Sequence, residues 1–143
     1  MATINHIGLT VSNLDTSIAF YRDGVGMSEL LRNDNVGGEW FDTLTDNRGA
    51  RINIAHLTLD GLTVQLVEYT AAGGDTLALH HSHVGNPHLC LNTVDFDEQR
   101  RRIEACVTRY ISPVLELGQS GKRSFYCADP DGVLVEFIEA SPN

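Results

Sequence analysis

The chain has 143 residues, enough for one domain with a real core, and 42% hydrophobic with 20% charged residues is an ordinary globular composition. A formal net charge of −9 argues against nucleic acid or an anionic membrane surface as partner, since both are held by cationic contacts. The opening MATINHIG has neither the basic nor the apolar stretch of a secretion signal, and no run reaches the roughly 20 apolar residues of a membrane helix. Three cysteines (Cys90, Cys106, Cys127) without CxxC spacing point to a reducing compartment, so a cytoplasmic protein is expected.

In chain order, the first predicted strand starts at His6 (HIGLTV) and leads to a helix capped by Asn13 or Asp15, with Leu14, Ile18 and Tyr21 at helical spacing. Strands follow at 27–31 and 51–59, separated by a loop over 32–50 that carries a glycine-rich stretch, Trp40 and Phe41. Asp60-Gly61 reads as a turn before the strand-like VQLVE at 64–68. After a connection rich in glycine and histidine, a strand starts at His88 (HLCLNT). Its helix is capped by Asp95 or Asp97 and carries Phe96, Ile103 and Val107. Strands are predicted at 113–117 and 123–128, and the turn Asp129-Pro130-Asp131-Gly132 precedes VEFIE at 135–139.

The two halves repeat. His6 aligns with His88 at an offset of 82, and Gln65 with Glu136 at an offset of 71. The expected fold is α+β: one domain of two βαβββ modules, about 2–70 and 87–140, joined by a connection at about 71–86. Its mixed sheet is expected to curve around a cleft.

Side chains alternate across a strand. Ile7, Leu9 and Val11 are expected under the first helix and His6 on the other face; Leu89 and Leu91 take the equivalent place beside His88. Val64 and Leu66 oppose Gln65. Val135 and Phe137 oppose Glu136, a charged residue among apolar neighbours that needs a partner or a metal. If the non-helix faces meet, His6, Gln65, His88 and Glu136 converge from equivalent positions. Two imidazoles, an amide oxygen and a carboxylate suit one divalent ion such as Zn, Ni, Co, Mn or Fe(II). An octahedral ion would keep two positions for a chelating small-molecule substrate.

INHIGLTVSNLDTSIAFYRDGVGM at 4–27, VQLVEY at 64–69, PHLCLNTVDFDE at 87–98 and FYCADPDGVLVEFIE at 125–139 together resemble the vicinal oxygen chelate superfamily. That group includes glyoxalase I, methylmalonyl-CoA epimerase, extradiol dioxygenases and antibiotic-resistance proteins. The resemblance implies paired βαβββ modules, homodimerisation and a metal in the cleft, with the ligands on His6, Gln65, His88 and Glu136. This set is most similar to that of the epimerases. Their second glutamate, on the third strand of the first module, has no counterpart in Arg51-Ile52-Asn53-Ile54.

The first functional reading is proton transfer, in which the metal holds a substrate by two oxygens and stabilises an enolate (epimerase, isomerase or glyoxalase-like lyase), with Glu136 as general base. The second is an Fe(II) ring-cleaving dioxygenase using His6, His88 and Glu136, with Tyr126 or a histidine as acid or base. The third is a metal-free antibiotic-binding protein. Glu68 opposes Gln65 and reads as a solvated strand-end residue. His80, His81 and His83 read as loop histidines, Cys90 as a buried thiol and Arg100–Arg102 as a solvated helical run. His56 faces either the cleft or an interface. Of Arg123 and Tyr126, only one can line the cleft.

Overall fold

The computed structural model describes residues 1–141, and the chain divides into two compact units, Met1–Thr76 and Leu77–Asn143. In the first unit the elements are β1 (Ile7–Val11), α1 (Leu14–Ala19), β2 (Ser28–Gly37), α2 (Glu39–Thr45), β3 (Arg51–Leu59) and β4 (Leu62–Ala71). The sheet order is β1-β4-β3-β2, parallel between β1 and β4 and antiparallel elsewhere. Asn13, not Asp15, caps α1 by accepting from the Thr16 amide at 2.9 Å. The helix then widens into a π-type turn over Phe20–Val25, and Gly26 closes it at φ 98°, a left-handed conformation suited to glycine.

Burial follows the predicted alternation except at Ile7, which starts β1 and is exposed rather than packed under the helix. Leu9, Val11, Val64 and Leu66 are buried with Leu14, Ile18 and Tyr21 from the helical segment. The 32–50 region is not a simple loop. Strand β2 runs on to Gly37, and α2 lays Phe41 against Ala50 and Ile52, with Ile54, Val67 and Tyr69 packed around them. Trp40 packs locally on Phe41, ring centroids 5.4 Å apart, and stays mostly exposed.

The second unit holds β5 (His88–Thr93), α3 (Phe96–Glu104), β6 (Tyr110–Ile111), β7 (Leu115–Glu116), β8 (Arg123–Ala128) and β9 (Leu134–Glu139). Its sheet, β5-β9-β8-β6, repeats the first one's topology, with β5 parallel to β9 and β7 pairing the edge of β8. The strand expected at 113–117 is instead two short ones flanking Pro113, which has no N–H to give a ladder. Asp95 caps α3, and the helix ends at Glu104, so Val107 lies beyond it and is exposed. Phe96, Phe125 and Phe137 form the aromatic centre, Phe125 stacking on Phe137 at 5.1 Å.

The Asp129-Pro130-Asp131-Gly132 turn forms as expected. The buried Asp129 carboxylate accepts from the amides of Asp131 (2.9 Å) and Val133 (2.8 Å), and Gly132 takes φ 97°. The Arg100–Arg102 run is not simply solvated. Arg100 bonds Glu104 and the Ser112 carbonyl, and its guanidinium lies 4.9 Å over the Phe125 ring. The architecture is α+β, with two sheet modules, as the sequence leads one to expect. Among the described residues no helix is long and apolar enough to cross a membrane.

Candidate metal-ligand half-sites

In the first unit, Gln65 on β4 and His56 on β3 are direct cross-strand partners, so both side chains leave the sheet on the face opposite Leu66. Gln65 Nε2 lies 2.8 Å from His56 Nε2. An amide nitrogen only donates, so the imidazole nitrogen accepts and the neutral ring carries its proton on Nδ1. Burial, reinforced by nearby His6, lowers the His56 pKa and favours this neutral form. The amide Oε1 is left for another partner. It points past Gly8, where a Cβ would stand 3.9 Å away.

His6 precedes β1, and its ring centroid is 5.8 Å from that of His56. Its Nδ1 donates to Asn5 Oδ1 at 2.6 Å, which leaves the Nε2 lone pair free. An imidazole oriented through its other nitrogen is the usual state of a metal-ligating histidine. The first unit thus presents an imidazole nitrogen and an amide oxygen, each held by a hydrogen bond through the other polar atom of its group.

In the second unit Glu136 sits in the middle of β9, only 9% exposed, and its charge is satisfied. Ser124 Oγ donates to Oε1 at 3.0 Å and Tyr126 Oη to Oε2 at 2.9 Å. Tyr126 is Glu136's cross-strand partner and Ser124 lies two residues back on the same face. His88 Nε2 is 3.7 Å from Oε2, too far for a hydrogen bond. Two donors that each bind one ion at about 2.0–2.2 Å stand roughly 3–4 Å apart, so this gap matches a shared cation.

The surroundings of Glu136 oppose further negative charge. Burial, then Glu136, pushes the Tyr126 hydroxyl up to about 12 and the Cys90 thiol up to about 11. Cys90 as a residue is exposed, not buried as expected, but its thiol faces Glu136 across the parallel pair and is partly desolvated there. The Tyr126 ring meets His81 edge-on at 4.7 Å and His88 at 5.6 Å. Arg123 lies on the opposite face of β8, held by Glu139 and Asp97, so Tyr126 is the one that joins the site face.

Each unit therefore gathers part of the expected donor set: His6 and Gln65 in the first, His88 and Glu136 in the second. Among the described residues no three His, Cys, Asp or Glu side chains form a metal-binding group. Glu68 is not a solvated strand end but lies within β4, half-buried and bonded by Asn53 at 3.1 Å. Reading strands singly left open which way His56 faces and did not bring out Ser124. Their roles come from cross-strand register, which no single strand encodes.

A model of the Glyoxalase/Bleomycin resistance protein/Dioxygenase superfamily matches residues 3–137. The uncharacterized protein YwbC of Bacillus subtilis (strain 168) is 26% identical over 137 residues, covering 95% of this chain and 96% of that protein. A glyoxalase family protein from Bacillus cereus superposes with TM-score 0.81 at 20% identity, over 99% of this chain and 96% of that one. The fosfomycin resistance protein FosX of Listeria monocytogenes superposes with TM-score 0.69 at 20% identity, over 100% of this chain and 94% of that one. FosX has also been crystallised with Mn(II) and sulfate.

Proposed function

The chain belongs to the Glyoxalase/Bleomycin resistance protein/Dioxygenase superfamily, and on that basis we propose that it is a divalent-metal-dependent enzyme acting on a small substrate that offers two oxygens. The proposed ligands are His6, Gln65, His88 and Glu136, the set most similar to that of the methylmalonyl-CoA epimerases. The carrying observation is the state of the donors. His6 and Gln65 are both fixed with a donor atom left over, and the His88–Glu136 separation of 3.7 Å, beyond hydrogen-bond length, is one that two donors on a shared cation could take.

A bound divalent ion would supply Lewis acidity that makes the C–H next to a chelated oxygen more acidic. Glu136 would act as the general base for that proton. Ser124 and Tyr126 hold its two oxygens in place, each donating to one of them. Tyr126, kept neutral by burial and by Glu136, is a hydroxyl donor and not a base at neutral pH. The protein is proposed to work as a homodimer.

The test is metal analysis of anaerobically purified protein, followed by solvent deuterium exchange into small α-oxygenated acids and thioesters. Stoichiometric metal that falls at least tenfold in Glu136→Ala, with exchange lost, is the expected result. Full metal content and activity in Glu136→Ala would refute it. Iron with oxygen uptake on catechols would instead assign ring cleavage.

A further inference from the structure

The face of the second sheet that carries Glu136 borders a cavity of about 480 Å³, within the range of about 300–1,000 Å³ typical of small-molecule sites. Its apolar lining includes Leu79 and Leu134; its polar lining is Arg109, Tyr110, His80 and His81. No carboxylate lines it, in a chain of net charge −9. Every polar side chain there can donate a hydrogen bond, and one is permanently cationic.

Arg109 is set for this role. Its amide donates to the Ala128 carbonyl at 3.2 Å and its Nε to the Pro130 carbonyl at 2.8 Å, which anchors the stem. Among the described residues no carboxylate pairs with it, whereas Arg22, Arg32, Arg100, Arg101 and Arg123 each hold one. Its two terminal amino groups thus remain for a ligand, in the fork geometry that suits an oxyanion. The Ser82 amide donates to His80 Nδ1 at 3.3 Å, so the neutral ring keeps its N–H at Nε2. Gly132, at φ 97°, forms part of the wall, and a Cβ there would lie in ordinary contact, 3.9 Å, with both Arg109 Cδ and Leu79 Cβ.

The cavity also adjoins the Glu136 cluster through one of its lining residues. His81, in its lining, packs at 4.7 Å on the Tyr126 ring, whose hydroxyl holds Glu136. We propose that this cavity is an anion subsite. It takes the carboxylate, phosphonate or phosphate group of a small substrate with a short apolar body, and Arg109 is its specificity-determining residue. That the anion belongs to the substrate processed at Glu136 rests on the function proposed above; the anion preference itself does not.

The experiment is an amide NMR titration of ¹⁵N-labelled, metal-free protein with phenylphosphonate, phenylacetate and the neutral phenylacetamide. Both anions are expected to shift the Tyr110 and Gly132 amides, and Arg109→Gln to weaken them at least tenfold with an otherwise unchanged spectrum. Equal binding of phenylacetamide, or unchanged anion affinity in Arg109→Gln, overturns the subsite. A protein that binds them but never takes up metal would keep the subsite and remove the metal-dependent reading.

Discussion

Tyr126→Phe isolates the hydrogen bond that positions Glu136. The substitution removes the 2.9 Å bond to Oε2 and keeps the ring that packs on His81 and His88. A hydrogen bond to a charged group contributes about 1.5–3 kcal/mol. Here Tyr126 is only partly buried and Ser124 still holds Oε1 at 3.0 Å, so the lower end applies, about 1.5 kcal/mol. At about 2 cal/mol/K of unfolding entropy per residue, that lowers Tm by roughly 4–6 °C for a chain of this length. Divalent-metal affinity should fall about tenfold, because the carboxylate loses the group that orients it. Differential scanning calorimetry reads the first effect and competitive titration against a chromophoric chelator the second. Parent-like Tm and metal affinity in Tyr126→Phe would refute the view that this hydroxyl positions Glu136.

The remaining predictions test other contacts. His56→Leu removes the acceptor that holds the Gln65 amide at 2.8 Å, so metal affinity should fall roughly tenfold with the circular dichroism spectrum unchanged. Cys90 is exposed, yet its pKa rises from 9.0 to about 11, so its thiolate fraction at pH 8 is about a hundredfold below that of an unperturbed thiol. Iodoacetamide should label it correspondingly slowly, and Glu136→Gln should speed the labelling, as read by mass spectrometry over time. Burial, then Asp129, pushes the Cys127 thiol from 9.0 up to about 12. The folded state holds that proton where the unfolded chain releases it, so stability is full below pH 9 and declines as the pH rises toward 12. Urea melts of Cys127→Ala should show a shallower alkaline decline than the parent.

Strand parity and the internal repeat, both local properties of the chain, determined much of this protein. A buried face with period two placed Leu9, Val11, Val64 and Leu66 in one core and left His6 and Gln65 on the other face. The same pattern marked Glu136 as a carboxylate in need of partners, and the Asp-Pro-Asp-Gly turn is as legible in sequence as in space. The α2 helix was not legible, because Phe41 is driven inward by Ala50 and Ile52 rather than by a periodic run of its own. Nor were the partners themselves. His56 meets Gln65, and Ser124 and Tyr126 meet Glu136, only through the antiparallel register of β3 with β4 and β8 with β9. The cavity beside Arg109 likewise draws on three separate stretches of the second unit. Alternation along a strand is set by its own backbone geometry, whereas hydrogen-bond partners and cavity walls depend on which strand lies alongside and in what register.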